Sequence, residues 1–188
     1  MSKTNANDTN YVHPKKVSLR VHLFGAPNYF GDSHIRVIEK TEKMLQEHGL
    51  NLQCWWSKNL SPMMEPGGTG PRGLYWEEDY PRIKARVDEI MGYAKTAQTH
   101  VGVVFCNFTE SGHGVTPWKK YGWKTPVCLI SARPNDDLVT MLHELGHAAG
   151  LDHHHGHEDS SNFMHEGEGR TTMYRGQIEQ FAKCYFAG

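Results

Sequence analysis

The chain has 188 residues, enough for one compact domain with a full hydrophobic core, and a formal charge of −1 at pH 7. That balance gives no electrostatic case for a nucleic-acid or anionic-membrane partner. No apolar stretch approaches the length of a membrane-spanning helix.

In chain order, residues 1–14 read as a flexible, solvated tail, because they are polar and lack apolar periodicity. The N-terminal run MSKTNANDTNYVHPKK has no hydrophobic signal core, so the expected location is cytoplasmic, or outside by a non-classical route, or outside after loss of a leader. Val17, Leu19, Val21 and Leu23 alternate with polar residues as in a half-buried strand. Asp32 or Ser33 can cap a helix with Ile35, Ile38 and Leu45 on its apolar side, ending near Gly49. Leu50, Leu52, Cys54 and Trp56 alternate again and predict a second strand. Residues 57–79 are rich in Gly and Pro and read as a long loop, either the rim of a cleft or a plain surface excursion. Pro81 can open a second helix with Ile83, Val87, Ile90 and Met91 on one face.

Val101 to Phe108 is a continuous apolar strand, the pattern of a strand covered on both faces. A short extended segment follows at Gly114–Trp118, then a strand at Val127–Ser131. Asn135 or Asp136 can cap the next helix, whose core stripe is Leu138, Met141, Leu142 and Leu145. Thr171 or Thr172 can start a last helix with Tyr174, Ile178, Phe181 and Tyr185 at helical spacing. Strands alternating with helices imply a mostly parallel sheet in an α/β domain. Cys54, Cys106, Cys128 and Cys184 lie far apart and none forms CxxC, so they read as buried thiols, with neither a disulfide framework nor a second, structural zinc site indicated.

The most specific signal is the run HELGHAAGLDH, residues 143–153. On a helix His143 and His147 lie one turn apart and project from nearly the same face, so they can share one metal ion. Glu144 points to a neighbouring face, from which it can reach a water beside the metal without being a ligand. Gly150 can take positive φ and stop the helix sharply, and the returning chain can deliver His153 as a third ligand. Zinc held by three His keeps a position open for water, the arrangement of catalytic rather than closed structural sites.

These residues resemble the HExxHxxGxxH pattern of the metzincin clan of zinc endopeptidases, and Ser161-Asn162-Phe163-Met164 is similar to the Met-turn that follows it in that clan. The resemblance implies an α+β, zincin-like domain over residues 1–188. It implies a twisted, mostly parallel sheet, an antiparallel edge strand and an active-site helix. An N-terminal subdomain (15–150) would carry two zinc ligands, and a small C-terminal subdomain (151–188) would carry His153, Met164 and the last helix. Gly114, Val115 and Thr116 are the candidate edge strand, on which a peptide substrate can add by backbone hydrogen bonds, and Pro117, lacking an N–H, suits an edge. Some metzincins carry a Tyr two residues after the Met. Glu166 stands there in this chain, and the subfamily stays open.

The expected chemistry is peptide-bond hydrolysis by water activated at one catalytic Zn2+, with Glu144 as general base and Met164 as an apolar floor beneath the imidazoles. The expected partner is a peptide or protein substrate. Two alternatives stand beside it: a non-catalytic metal-binding or interaction module on the same scaffold, and a site whose last ligand is Glu166 or Glu168 with His153 a bystander. His154 or His155 can in principle replace His153 in register. His154, His155, His157 and His165, with Glu158 or Asp159, allow either a second metal site or a solvated polar loop.

Overall fold

The computed structural model describes residues 16–25, 32–57, 76–92, 98–106, 114–117, 125–131, 137–154, 159–167 and 169–188. Its elements are β1 (Val17–Phe24), α1 (Ser33–Gln46), β2 (Leu50–Ser57), α2 (Trp76–Ile90), β3 (Val101–Cys106), β4 (Gly114–Val115), β5 (Val127–Ser131), α3 (Thr140–Ala148) and α4 (Arg175–Phe181). The strands form a five-stranded sheet in the order β2-β1-β3-β5-β4. β1 runs parallel to β2 and β3, and β3 parallel to β5. β4 closes one side as an antiparallel edge strand, with Gly114 opposite Ile130 and Val115 opposite Leu129. The tail 1–14, most of the segment 57–79, Trp118 and the capping candidates Asn135 and Asp136 lie outside the described residues.

One face of the sheet meets α1, α3 and the C-terminal segment through a large core that includes Leu19, Val21, Leu23, Leu45, Phe105, Leu142, Leu145, Phe163 and Phe181. The other face packs on α2 through Phe24, Tyr80, Ile83, Val87, Val104 and Leu129. β3 and β5 are buried at every residue, as their unbroken apolar runs require.

Several local expectations need correction. The buried stripe of α1 is Ser33, His34, Val37, Thr41, Met44 and Leu45, while Ile35 is 43% exposed. Three polar side chains complete the stripe, so reading apolar letters alone turns the helix by about one residue. Cys54 and Trp56 are exposed rather than buried, because β2 is the outer strand and, among the described residues, has a neighbour on one side only. Of the other cysteines, Cys106 and Cys128 are buried and Cys184 is partly so, and none of the four is in a disulfide.

α2 starts at Trp76 and contains Pro81 instead of opening on it. Glu77, Glu78 and Asp79 favour the positive end of the helix dipole. Tyr80 anchors that first turn, donating its hydroxyl hydrogen to the Val127 carbonyl at 2.8 Å and accepting from the Val127 N–H at 2.9 Å. α4 begins at Arg175, later than Thr171 or Thr172, because Thr172 is used in a bridge to Asn162. No helix among the described residues is long and apolar enough to cross a membrane.

Candidate metal centre

α3 is held on β5 by Met141, Leu142 and Leu145, all buried. Leu138 precedes the helix instead of lying on it and is partly buried. The entry to the helix is organised by Asp137, whose carboxylate accepts the Val139 N–H at 2.9 Å. Gly150 has φ +89°, and the helix ends in a Schellman arrangement there: Gly150 N–H donates to the His147 carbonyl and Leu151 N–H to the Gly146 carbonyl, both at 2.9 Å. The reversal brings His153 back to the helix it has just left.

The three imidazoles converge. Nε2 of His143 lies 3.2 Å from Nε2 of His147 and 3.2 Å from Nε2 of His153, and the His147–His153 pair is 3.0 Å apart. The opposite ring nitrogens are all engaged. His143 Nδ1 donates to the Phe163 carbonyl at 2.9 Å, His147 Nδ1 to the Leu151 carbonyl at 2.9 Å, and His153 Nδ1 to Glu166 Oε1 at 2.8 Å. A carbonyl can only accept, so the hydrogen of a neutral imidazole sits on Nδ1 and its Nε2 carries a lone pair. Burial, with His147 next in weight, holds the His143 pKa down at about 3 and keeps that ring neutral. Three lone pairs aimed at one point repel unless a cation lies between them.

A tetrahedral ion about 2.0–2.1 Å from each nitrogen sets them roughly 3.3 Å apart, close to the spacing found. The triad therefore fits a metal ion, and it is the one such group of His, Cys or carboxylates among the described residues.

Glu144 is buried beside this cluster. Burial pushes its pKa up to about 7, against the hydrogen bond from Thr116 and the Arg170 charge, which act downward. Thr116 Oγ1 donates to Glu144 Oε2 at 2.7 Å. Gly114 lies directly against the same side chain, since a Cβ built there would stand 2.7 Å from both Glu144 Cγ and Oε1. The edge strand β4 and the carboxylate of α3 are thus in contact.

Met164 is fully buried, packed on the helix at Gly146, where a Cβ would come within 2.4 Å of its sulfur. Asn162 Oδ1 accepts the Met164 N–H at 3.0 Å, an Asx turn. The turn is tied to both ends of the triad: Phe163 receives His143, and the His154 N–H donates to the Met164 carbonyl at 2.9 Å. Its other side is fixed by a reciprocal amide pair between Asn162 and Gln177 of α4, at 3.0 and 2.9 Å. Arg170 adds a partly buried ion pair to Asp137 at 2.7 Å, joining this segment to the residues just before α3. Gly146→Ala should therefore lower stability by about 1–3 kcal/mol through overpacking, even though Ala gains roughly 1 kcal/mol over Gly inside a helix. Denaturant unfolding measures it, and a variant as stable as the parent would contradict the close packing.

Sequence spacing identified His143, His147, His153 and Glu144, and the structure brings them together. It separates others from the site. His154 stacks edge-on against Tyr174 rather than joining the triad. Glu166 is not in the ligand group either. It holds the far nitrogen of His153, so the reading in which Glu166 replaces His153 as ligand does not match this geometry. Asp159 is occupied by Ser161 and Tyr174, whose hydrogen bonds hold its carboxyl below the usual range. His155, His157, Glu158 and Glu168 lie outside the described residues. Thr116 as the partner of Glu144 and Glu166 as the partner of His153 are not visible in sequence spacing, since contacts across 28 and 13 residues leave no trace in it.

No family model matches the chain, and no curated protein matches it. Among solved structures it is similar to metalloproteinase-II from Bacteroides fragilis, with a TM-score of 0.63 and 12% sequence identity over 93% of this chain. The match spans 55% of that protein's chain. The mixed α/β architecture, with a mostly parallel five-stranded sheet and an antiparallel edge strand, is the fold this chain shares with that protein.

Proposed function

We propose that the chain is a zinc-dependent endopeptidase of the metzincin type. The observation that carries this reading is the convergence of three imidazole lone pairs beside a buried carboxylate that is not one of the ligands. His143, His147 and His153 would hold the ion. Zinc bound by three His supplies a Lewis acid and lowers the pKa of water at its open position. Glu144 takes a proton from the attacking water and returns it to the leaving amine. Met164, in the turn after the third His, serves as the Met-turn, an apolar support under the rings.

Residues 15–150 and 151–188 would serve as the chain's two subdomains. The outer edge of β4 is unpaired among the described residues, which suits addition of an extended peptide. Cleavage of an unbiased peptide library is the test. Hydrolysis should stop with a chelator and return with added zinc. Folded, zinc-loaded protein that cleaves none of the library would instead mark a non-catalytic metal-binding module.

Glu166 has a defined part in the same reading. Carboxylates that accept the second N–H of a ligand His orient the ring and raise its basicity, and losing one typically costs 10–100-fold in metal affinity. Glu166→Ala should weaken zinc binding by about that factor, read by chelator competition. An unchanged affinity would mean that the His153–Glu166 contact does nothing for the ion.

A further inference from the structure

β4 ends the sheet, and it also touches the carboxylate proposed as general base. Thr116, just after β4, is 7% exposed. Its hydroxyl has a single hydrogen, and it meets Glu144 Oε2 at 2.7 Å, the Glu144 carbonyl at 3.3 Å and the Cys128 side chain. The shorter contact, to a carboxylate, is the stronger. The last torsion of a Glu side chain is broad and intrinsically soft, so a fixed donor decides which way the carboxylate faces. Both partners are held from behind: β4 by its pairing to β5, and α3 by its core stripe. Gly114 supplies the room, because a Cβ there would strike Glu144 Cγ and Oε1 at 2.7 Å and Thr140 Cγ2 at 2.8 Å.

We propose that Thr116 is a positioning residue for Glu144: its hydroxyl pins Oε2 and thereby aims the carboxylate. This rests on the peptidase reading of the site. The hydroxyl is buried and turned to Glu144, so its loss acts on turnover and not on substrate binding. Its hydrogen bonds go to Glu144 and Cys128, neither of them in the His triad, so metal affinity is also spared.

Thr116→Val keeps the β-branched shape and removes the donor, while Thr116→Ser keeps the donor. The valine variant should lose about 10- to 100-fold in kcat, with KM and zinc affinity at parental values, and the serine variant should recover most of the loss. Crystal structures of the zinc-free parent and valine variant should show the carboxylate fixed in the first and turned in the second. A valine variant with parental kcat, or a serine variant as impaired as the valine one, would overturn the proposal. If the parent proves inert on peptides, the peptidase reading fails on its own. The crystal structures then decide the positioning, and an identical carboxylate orientation in both overturns it.

Discussion

Glu144→Gln should fold, bind zinc as tightly as the parent, and lose about 10²- to 10⁴-fold in kcat, the range that a positioned general acid–base group supplies. The substitution keeps the size of the side chain and can still accept from Thr116, so the buried contact at 2.7 Å has a replacement partner. What it removes is the capacity to take a proton. The Gly114 contact gives the site little room for a larger rearrangement. Zinc content by mass spectrometry and initial rates on a quenched peptide measure the two halves separately. Parental rates in a homogeneous Glu144→Gln preparation would place the base elsewhere.

The second large effect is on the metal. His147 is the middle member of the triad, at 3.2 and 3.0 Å from the other two Nε2 atoms. His147→Ala leaves two imidazoles and also frees the Leu151 carbonyl that the ring had engaged. Apparent zinc binding energies of roughly 10–16 kcal/mol are shared over a ligand set, so one lost imidazole should weaken zinc binding by on the order of 10²-fold or more. Activity at limiting zinc should vanish and partly return at high zinc. His147 is only half-buried, so the fold should survive, as far-ultraviolet circular dichroism would show. Undiminished zinc affinity in this variant would remove the triad as the metal site.

Much of this arrangement was legible in the chain because its determinants are local. The period of two in Val17, Leu19, Val21 and Leu23 gave β1, and the unbroken run at Val101 gave β3, buried on both faces as found. The i, i+4 spacing of His143 and His147 and the turn at Gly150 place the three imidazoles within eleven residues, and there they converge in the structure. Boundaries set by distant partners were not legible. The start of α2 depends on Tyr80 reaching Val127, and the start of α4 on Thr172 bridging Asn162. The buried stripe of α1 includes His34 and Thr41, polar letters that pattern reading assigns to solvent. The same limit applies to the site. Glu166 stood out in sequence only as a departure from the resembling clan, and its bond to His153 needed the fold. Gly146, unremarkable within the motif, is required small because Met164 packs on it.

On the proposed reading His143, His147 and His153 together hold one zinc ion with a position left open. X-ray absorption at the zinc edge, on protein loaded with a single equivalent, tests it most directly. Three imidazole nitrogens and one further light atom at about 2.0–2.1 Å are expected. Sulfur in that shell, a shell with fewer than three imidazoles, or a folded protein that retains no zinc would contradict it.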